Sequence, residues 1–176
     1  GLVTLAQQAF GYGCMVPPLY TCALYNAIAN DGKFVKPRLM QALRMADGTD
    51  SLLKVSYVRD SICSPANARI IREMLYGVVN LKPGGTAWRL KGKDDPFNFA
   101  GKTGTAKIAR ERDPRHPEIP VAPGYIQGAY RLSFCGFFPY EKPKYTLMVL
   151  VSHPKPGYGP WSTSGRVFKN IAMKMY

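Results

Sequence analysis

The stretch Ala100–Ala109, AGKTGTAKIA, decides how this chain is read. A lysine follows one glycine, and two threonines flank a second. The neighbouring residues alternate or favour strands. Alternate strand residues share a side, so Thr103 and Thr105 point the same way. Gly-Lys-Thr also closes the phosphate-binding loop, but that motif needs a glycine at position 96, where Pro96 stands. No glycine-rich loop precedes Gly101, so that reading is set aside. What remains is Lys-Thr-Gly on a strand, and the question of what its lysine works with.

Working outward, the C-terminal half reads as β-rich. Strands are predicted over Phe97–Ile108, Tyr130–Phe138 and Tyr145–Ser152. The last two are joined by PYEKPK, short enough for an antiparallel hairpin. Before them, RERDPRHPEIPVAPGY (110–125) carries four prolines and mixed charge and reads as a surface loop. The closing SGRVFKNIAMKMY reads as a helix.

Upstream, PPLYTCALYNAIANDGKFVKP reads as a helix with proline in its first turn and Gly32 as its stop. Leu19, Cys22, Ala23, Asn26 and Ala27 recur on it at helical spacing. A second helix is predicted from Ser64, an N-cap, to about Asn80, with a stripe of Ile70, Ile71, Met74, Leu75 and Val78. KPGGT breaks it. Asp47-Gly48 marks a hairpin turn between short strands. The pattern is α+β, an antiparallel sheet with helices packed on it.

Composition sets bounds. The 176 residues, 46% hydrophobic, suit one domain with a core. The formal net charge of +13 raises nucleic acid as a partner, but no five like charges run together, and neither an aromatic RNA signature nor a zinc-finger spacing accompanies them. A solvated basic surface facing an anionic envelope or polymer is the simpler reading. Cys14, Cys22, Cys63 and Cys135 form no C-x-x-C pair and stand far from His116 and His153, so no zinc site is expected. Each sits among small or apolar residues and reads as a buried thiol; the even count permits disulfides. No apolar stretch reaches the roughly 18 residues of a membrane span. The chain opens in what reads as the middle of a fold, with no signal peptide.

K-T-G is a motif of serine β-lactamases and penicillin-binding proteins, where it accompanies S-x-x-K and S-x-N. Three further segments resemble penicillin-binding transpeptidases in the family's order. GYGCMVPPLYTCALYNAIANDGKFVKPRL (11–39) resembles the GYG, Pro-Leu helix and Ala-Asn-x-Gly-Lys turn. SFCGFFPYEKPKYTLMVLV (133–151) resembles the Ser-Phe-x-Gly-Phe-x-Pro strand and hairpin. YGPWSTSGRVFKNIA (158–172) looks like a divergent Tyr-Gly-Gly to Pro-Val-Phe ending, with Pro160 and Trp161 departing from it. The chain therefore resembles the C-terminal part of the transpeptidase domain of class B, monofunctional penicillin-binding proteins.

That resemblance implies the serine β-lactamase/transpeptidase-like fold. It also implies acyl transfer from peptidoglycan stem peptides through a serine acyl-enzyme, with β-lactams trapping the serine. Carried over, Lys102 polarises the site and anchors the S-x-N serine. Thr103 and Thr105 hold the substrate or β-lactam carboxylate. The Thr105 N–H supplies one oxyanion donor, and Gly104 gives clearance for the acyl-peptide backbone. No cofactor or metal is implied. The implied setting is the cell envelope, on the periplasmic or extracytoplasmic face of the inner membrane, with an anchor before residue 1 and division or cell-wall synthesis proteins as partners.

S-x-x-K and S-x-N should precede residue 1. Within the chain, Ser51-Leu-Leu-Lys54 and Ser152-His-Pro-Lys155 have the first spacing, and S-x-N is absent. A nucleophilic serine must open a helix so that its lysine lies one turn on. Ser51 falls in a β-reading stretch and Pro154 interrupts the other match, so neither is expected to act. The chain, 1–176, is expected to supply one wall of the site and to need the remainder of the domain. The alternatives are a non-catalytic adaptor of the same fold and a basic nucleic-acid-binding domain.

Overall fold

The computed structural model describes residues 1–9, 11, 14, 16–110 and 124–176. It opens with helices α1 (Leu2–Ala9) and α2 (Pro18–Ala29). Proline at the start of α2 sacrifices no helical hydrogen bond. Gly32, at φ +92°, ends it by donating its N–H to Ala27 O at 2.8 Å. A Cβ at Gly32 would stand 2.4 Å from Cys63 O, so space as well as φ demands glycine.

Two short antiparallel pairs follow. Strands β1 (Phe34–Val35) and β4 (Tyr57–Arg59) pair around the hairpin of β2 (Ala42–Arg44) and β3 (Asp50–Leu52). The Asp47 carboxylate accepts from the Thr49 N–H at 2.9 Å and closes the hairpin turn. Helix α3 (Pro65–Asn80) begins as the sequence predicts, with Ser64 Oγ accepting from the Asn67 N–H at 3.2 Å.

The main sheet holds β5 (Ala100–Ala109), β6 (Tyr125–Phe138) and β7 (Tyr145–Ser152), all antiparallel in that order. Helix α4 (Arg166–Met175) closes the chain after a π-helical turn at Trp161–Gly165. The alternation of β6 divides the core between two faces. Phe134 and Phe138 pack with Phe99 and with Phe168 of α4, the Phe134 and Phe168 rings 4.7 Å apart. Phe137 packs on the other face with Ala100, Ile28 of α2 and Leu75 of α3. Helix α3 serves both faces, placing Leu75 in one cluster and Val79 in the other. Each fully buried phenylalanine contributes about 1.5–3 kcal/mol.

Several expectations shift. Strand β5 starts at Ala100, because Phe97 and Phe99 are buried anchors on an irregular approach rather than ladder residues. Strand β6 begins at Tyr125, five residues early, since β5 extends to Ala109 and pairs there across a bulge. The GYG tyrosine and second glycine, and residues 111–123 of the proline-rich loop, lie outside the described residues. On α3, Ile70 and Met74 are 50% and 66% exposed; the buried line runs through Ala68, Leu75 and Val79, the face turned to β5. On α2, Leu19 is exposed while Ala23, Ala27 and Ile28 are buried. The buried-thiol expectation holds for Cys135 alone: Cys14 is exposed in the connection before α2, where no element covers it, and Cys22 and Cys63 are half-buried.

The approach to β5 is tied by polar contacts. Asp95 accepts from Lys169 of α4 at 2.7 Å and from the Gly92 N–H at 2.7 Å. Its side chain is only 7% exposed. Burial pushes the carboxyl up, but the Lys169 hydrogen bond, the Gly92 N–H and the charges of Lys169 and Lys91 outweigh it, leaving a net downward shift. A depressed folded pKa stabilises fully above the unfolded carboxyl value of about 4, and that stability is lost as pH falls through the folded value.

Two outcomes are expected under urea denaturation. Asp95→Asn lowers stability at pH 7 by about 1–3 kcal/mol, and its difference from wild type shrinks below about pH 4. Gly101→Ala costs about 1–3 kcal/mol, since its Cβ would stand 2.6 Å from Cys135 O and 2.7 Å from the Phe134 ring.

Candidate functional site

Lys102, Thr103, Gly104 and Thr105 lie on β5, whose outer side pairs with no strand among the described residues. Lys102 and Thr105 are exposed; Thr103 and Gly104 are half-buried. The register pairs Lys102 with Cys135, Thr103 with Phe134, Gly104 with Ser133 and Thr105 with Leu132. Directly opposed residues share a face, so Thr103 and Thr105 stand together on the α4 side, as predicted.

The lysine does not stay on its own face. Its Nζ curls to the edge and donates to Thr103 O at 2.9 Å and to Thr103 Oγ1 at 3.3 Å. The Thr103 carbonyl therefore points outward. A strand residue's N–H and C=O point the same way and alternate along the strand, so the Thr105 N–H faces the same free edge. The Phe99 carbonyl belongs to that outward series too, and Asn80 Nδ2 of α3 covers it at 3.0 Å. Helix α3 ends at Asn80.

One residue escaped the sequence reading. Thr86 Oγ1 lies 3.2 Å from Thr103 Oγ1. Thr86 follows the Gly84-Gly85 turn, and the Ala87 N–H donates to Val78 O at 3.0 Å, folding the segment back against α3. A Cβ at Gly85 would collide with Val78 O at 2.3 Å, so the turn needs its glycine. The GGT run reads in sequence as a helix breaker; its tight double glycine ending in a hydroxyl was the available signal.

A Cβ at Gly104 would stand 2.4 Å from Ser133 Oγ, a contact that rotation of the serine hydroxyl relieves. Beneath Lys102, on its face of the sheet, Cys135 meets Cys22 of α2. The Cys135 hydrogen bond draws the Cys22 thiol down to about 7 against opposing burial, and the same contact together with burial pushes Cys135 up. Burial raises the Tyr25 hydroxyl to about 12. The S-x-x-K look-alikes fall as expected from sequence: Ser51 is exposed on β3 and Ser152 ends β7, neither opening a helix. Among the described residues, no group of three or more His, Cys, Asp or Glu could hold a metal ion.

The chain belongs to the family described as the Penicillin binding protein transpeptidase domain, whose profile matches residues 3–173. Among curated relatives it is 28% identical over 174 residues to penicillin-binding protein PbpB of Mycolicibacterium smegmatis, covering 96% of this chain and 25% of that protein. It is 31% identical to the probable peptidoglycan D,D-transpeptidase PbpC of Pseudomonas aeruginosa, covering 96% of this chain and 26% of the relative. The crystal structure of penicillin-binding protein 3 from Mycobacterium tuberculosis, complexed with ampicillin, superposes with a TM-score of 0.74 at 28% identity, over 94% of this chain and 35% of that one. The fold is thus α+β and of the penicillin-binding transpeptidase kind. The chain spans about a quarter of the length of these curated relatives.

Proposed function

We propose that this chain is the C-terminal portion of a peptidoglycan D,D-transpeptidase domain and supplies the K-T-G wall of its active site. The observation that carries the reading is the free edge of β5, where the Lys102 ammonium and the Thr103 and Thr86 hydroxyls converge. In this reading, a serine elsewhere in the protein attacks the penultimate D-Ala carbonyl of a stem peptide. Terminal D-Ala leaves, an acyl-enzyme forms, and the amine of a neighbouring stem takes the acyl group. In this reading β-lactams mimic that donor end, and the mycobacterial relative is seen in complex with ampicillin.

The roles are those the family resemblance implies, and the geometry is compatible with them. The Thr103 and Thr105 hydroxyls, with Thr86 beside Thr103, receive the terminal carboxylate, and the Lys102 charge holds it and the attacking serine's neighbourhood positive. The outward Thr105 N–H donates to the oxyanion as it forms. Gly104 leaves the strand bare where the acyl-peptide backbone approaches.

Exposed apolar surface supports a larger unit. Helix α1 buries none of its residues, and at eight residues it lacks the length to hold itself in water. On α2, Leu19, Tyr20 and Leu24 are exposed. The rest of the transpeptidase domain, bearing S-x-x-K and S-x-N, covers these faces and brings the nucleophile. The work takes place in the cell envelope, outside the cytoplasm, alongside cell-wall synthesis or division proteins. Among the described residues no helix is long and apolar enough to cross a membrane.

Mass spectrometry after penicillin treatment tests this reading. The 176-residue chain gains no adduct, and a longer chain carrying all three motifs gains one on its S-x-x-K serine. An adduct on Ser51 would move the site elsewhere, and absence of S-x-x-K and S-x-N upstream would favour a non-catalytic adaptor.

In the longer chain, Lys102→Ala slows acylation by about 10²–10³-fold, the cost of losing one preorganised electrostatic contact. Thr86→Val slows it by roughly three- to tenfold, worth one hydrogen bond of about 1 kcal/mol, and leaves fold stability within about 0.5 kcal/mol. Stopped-flow acylation and urea denaturation read the two effects separately.

A further inference from the structure

Away from the β5 edge, a turn and a helix build a second polar site. Trp88–Leu90 forms one turn of 3₁₀ helix, and across from it stand the π-helical turn and the start of α4. Cations and rings alternate here. Lys82 Nζ lies 5.0 Å from the Trp88 ring centre, and the Arg89 guanidinium lies 4.9 Å from Trp88 and 5.5 Å from Trp161. These rings are the only two tryptophans in the sequence. Both rings lie within cation–π range of the Arg89 guanidinium, which restricts it without using its N–H donors.

A cavity of about 250 Å³ opens beside it, lined by Arg89, Leu90, Trp161, Arg166, Lys169 and Asn170. Among the described residues, neither the Arg89 nor the Arg166 guanidinium has a carboxylate or hydrogen-bond partner; the Arg166 backbone N–H donates to Thr163 O. Lys169 is already held, at 2.7 Å by Asp95 and at 2.9 Å by Leu90 O. Three cations thus converge on one cavity with a single carboxylate to offset them. The two unpaired guanidiniums come from different elements, so their donors approach a guest from different directions.

We propose that this cavity is a binding site for a phosphate group, independent of the K-T-G edge. A tetrahedral oxyanion presents acceptors toward Arg89, Arg166 and Lys169 at once, which a planar carboxylate does less well. Guanidinium forks suit its paired oxygens. The Asn170 amide adds a neutral donor at the rim. The phosphate ester comes either from a lipid headgroup or from a phosphate outside the bilayer, free or on a polymer.

Isothermal titration of the full-length protein with inorganic phosphate, at constant ionic strength set by sodium chloride, gives the first readout. Saturable binding is expected, weakened more than tenfold by Arg89→Gln combined with Arg166→Gln. Arg166→Gln alone, at an exposed helix start where packing is not disturbed, weakens it at least threefold and guards against misfolding of the double variant. Vesicles of phosphatidylcholine with and without phosphatidylglycerol separate the sources. Cosedimentation that needs phosphatidylglycerol and is lost in the double variant identifies a lipid headgroup. Phosphate binding without cosedimentation identifies a phosphate outside the bilayer. Non-saturable heats, or binding that both variants leave unchanged, overturn the proposal.

Discussion

Strand β5 lies flush against β6 because two glycines face each other across the ladder. Gly101 pairs with Gly136. A Cβ on Gly136 would stand 2.3 Å from Ala100 O, and one on Gly101 would enter both Cys135 O and the Phe134 ring. The space that neither side chain takes is where Phe134 folds over Gly101. The residue immediately following that contact is Lys102. The placement of Lys102 is therefore set by a packing constraint one residue behind it, and adding one methyl group there would disturb the core and the strand edge together.

The same economy governs the free edge. An unpaired strand edge invites association with other strands. Here the approach segment is held from three sides: Asn80 takes Phe99 O, Lys91 takes Asn98 Oδ1 at 2.9 Å, and Asn98 Nδ2 donates to Glu141 at 2.6 Å. Coverage by α3 stops at Asn80. The Gly84-Gly85 turn then brings Thr86 back beside Thr103 rather than over it. Along the stretch where the ammonium and hydroxyls gather, Thr103 O takes the Lys102 ammonium while the Thr105 N–H faces the outer side, with fixed structure on either side.

What could be read from sequence depended on the range of the interaction. The Ser64 cap, the Gly32 stop and the Asp47-Gly48 turn are local: each is decided within a few residues, and each stands where the sequence put it. The shared face of Thr103 and Thr105 follows from strand period alone. The misses are tertiary. Phe97 and Phe99 have strand-forming side chains, but their burial against Phe138 and Phe168 draws the backbone off the ladder. Ile70 and Met74 fit an apolar stripe as well as the residues actually buried, and only the position of β5 chooses between them. Thr86 is 17 residues from Thr103, and no period links them.

The cation–ring ladder shows the same limit from the opposite direction. Scattered basic residues and a formal charge of +13 read in sequence as a solvated surface, and much of that charge is one. Arg89 differs through its neighbours, since Trp88 is adjacent in the chain while Trp161 arrives only when the π-helical turn packs on the turn at Trp88–Leu90. An arginine free in water loses side-chain entropy whenever it is ordered on a ligand. Within reach of two indoles, part of that freedom is already lost in the folded chain. The fold thereby turns one of many surface charges into a preorganised one, and the buried Asp95–Lys169 pair beside it keeps the first turns of α4 in register with that rung.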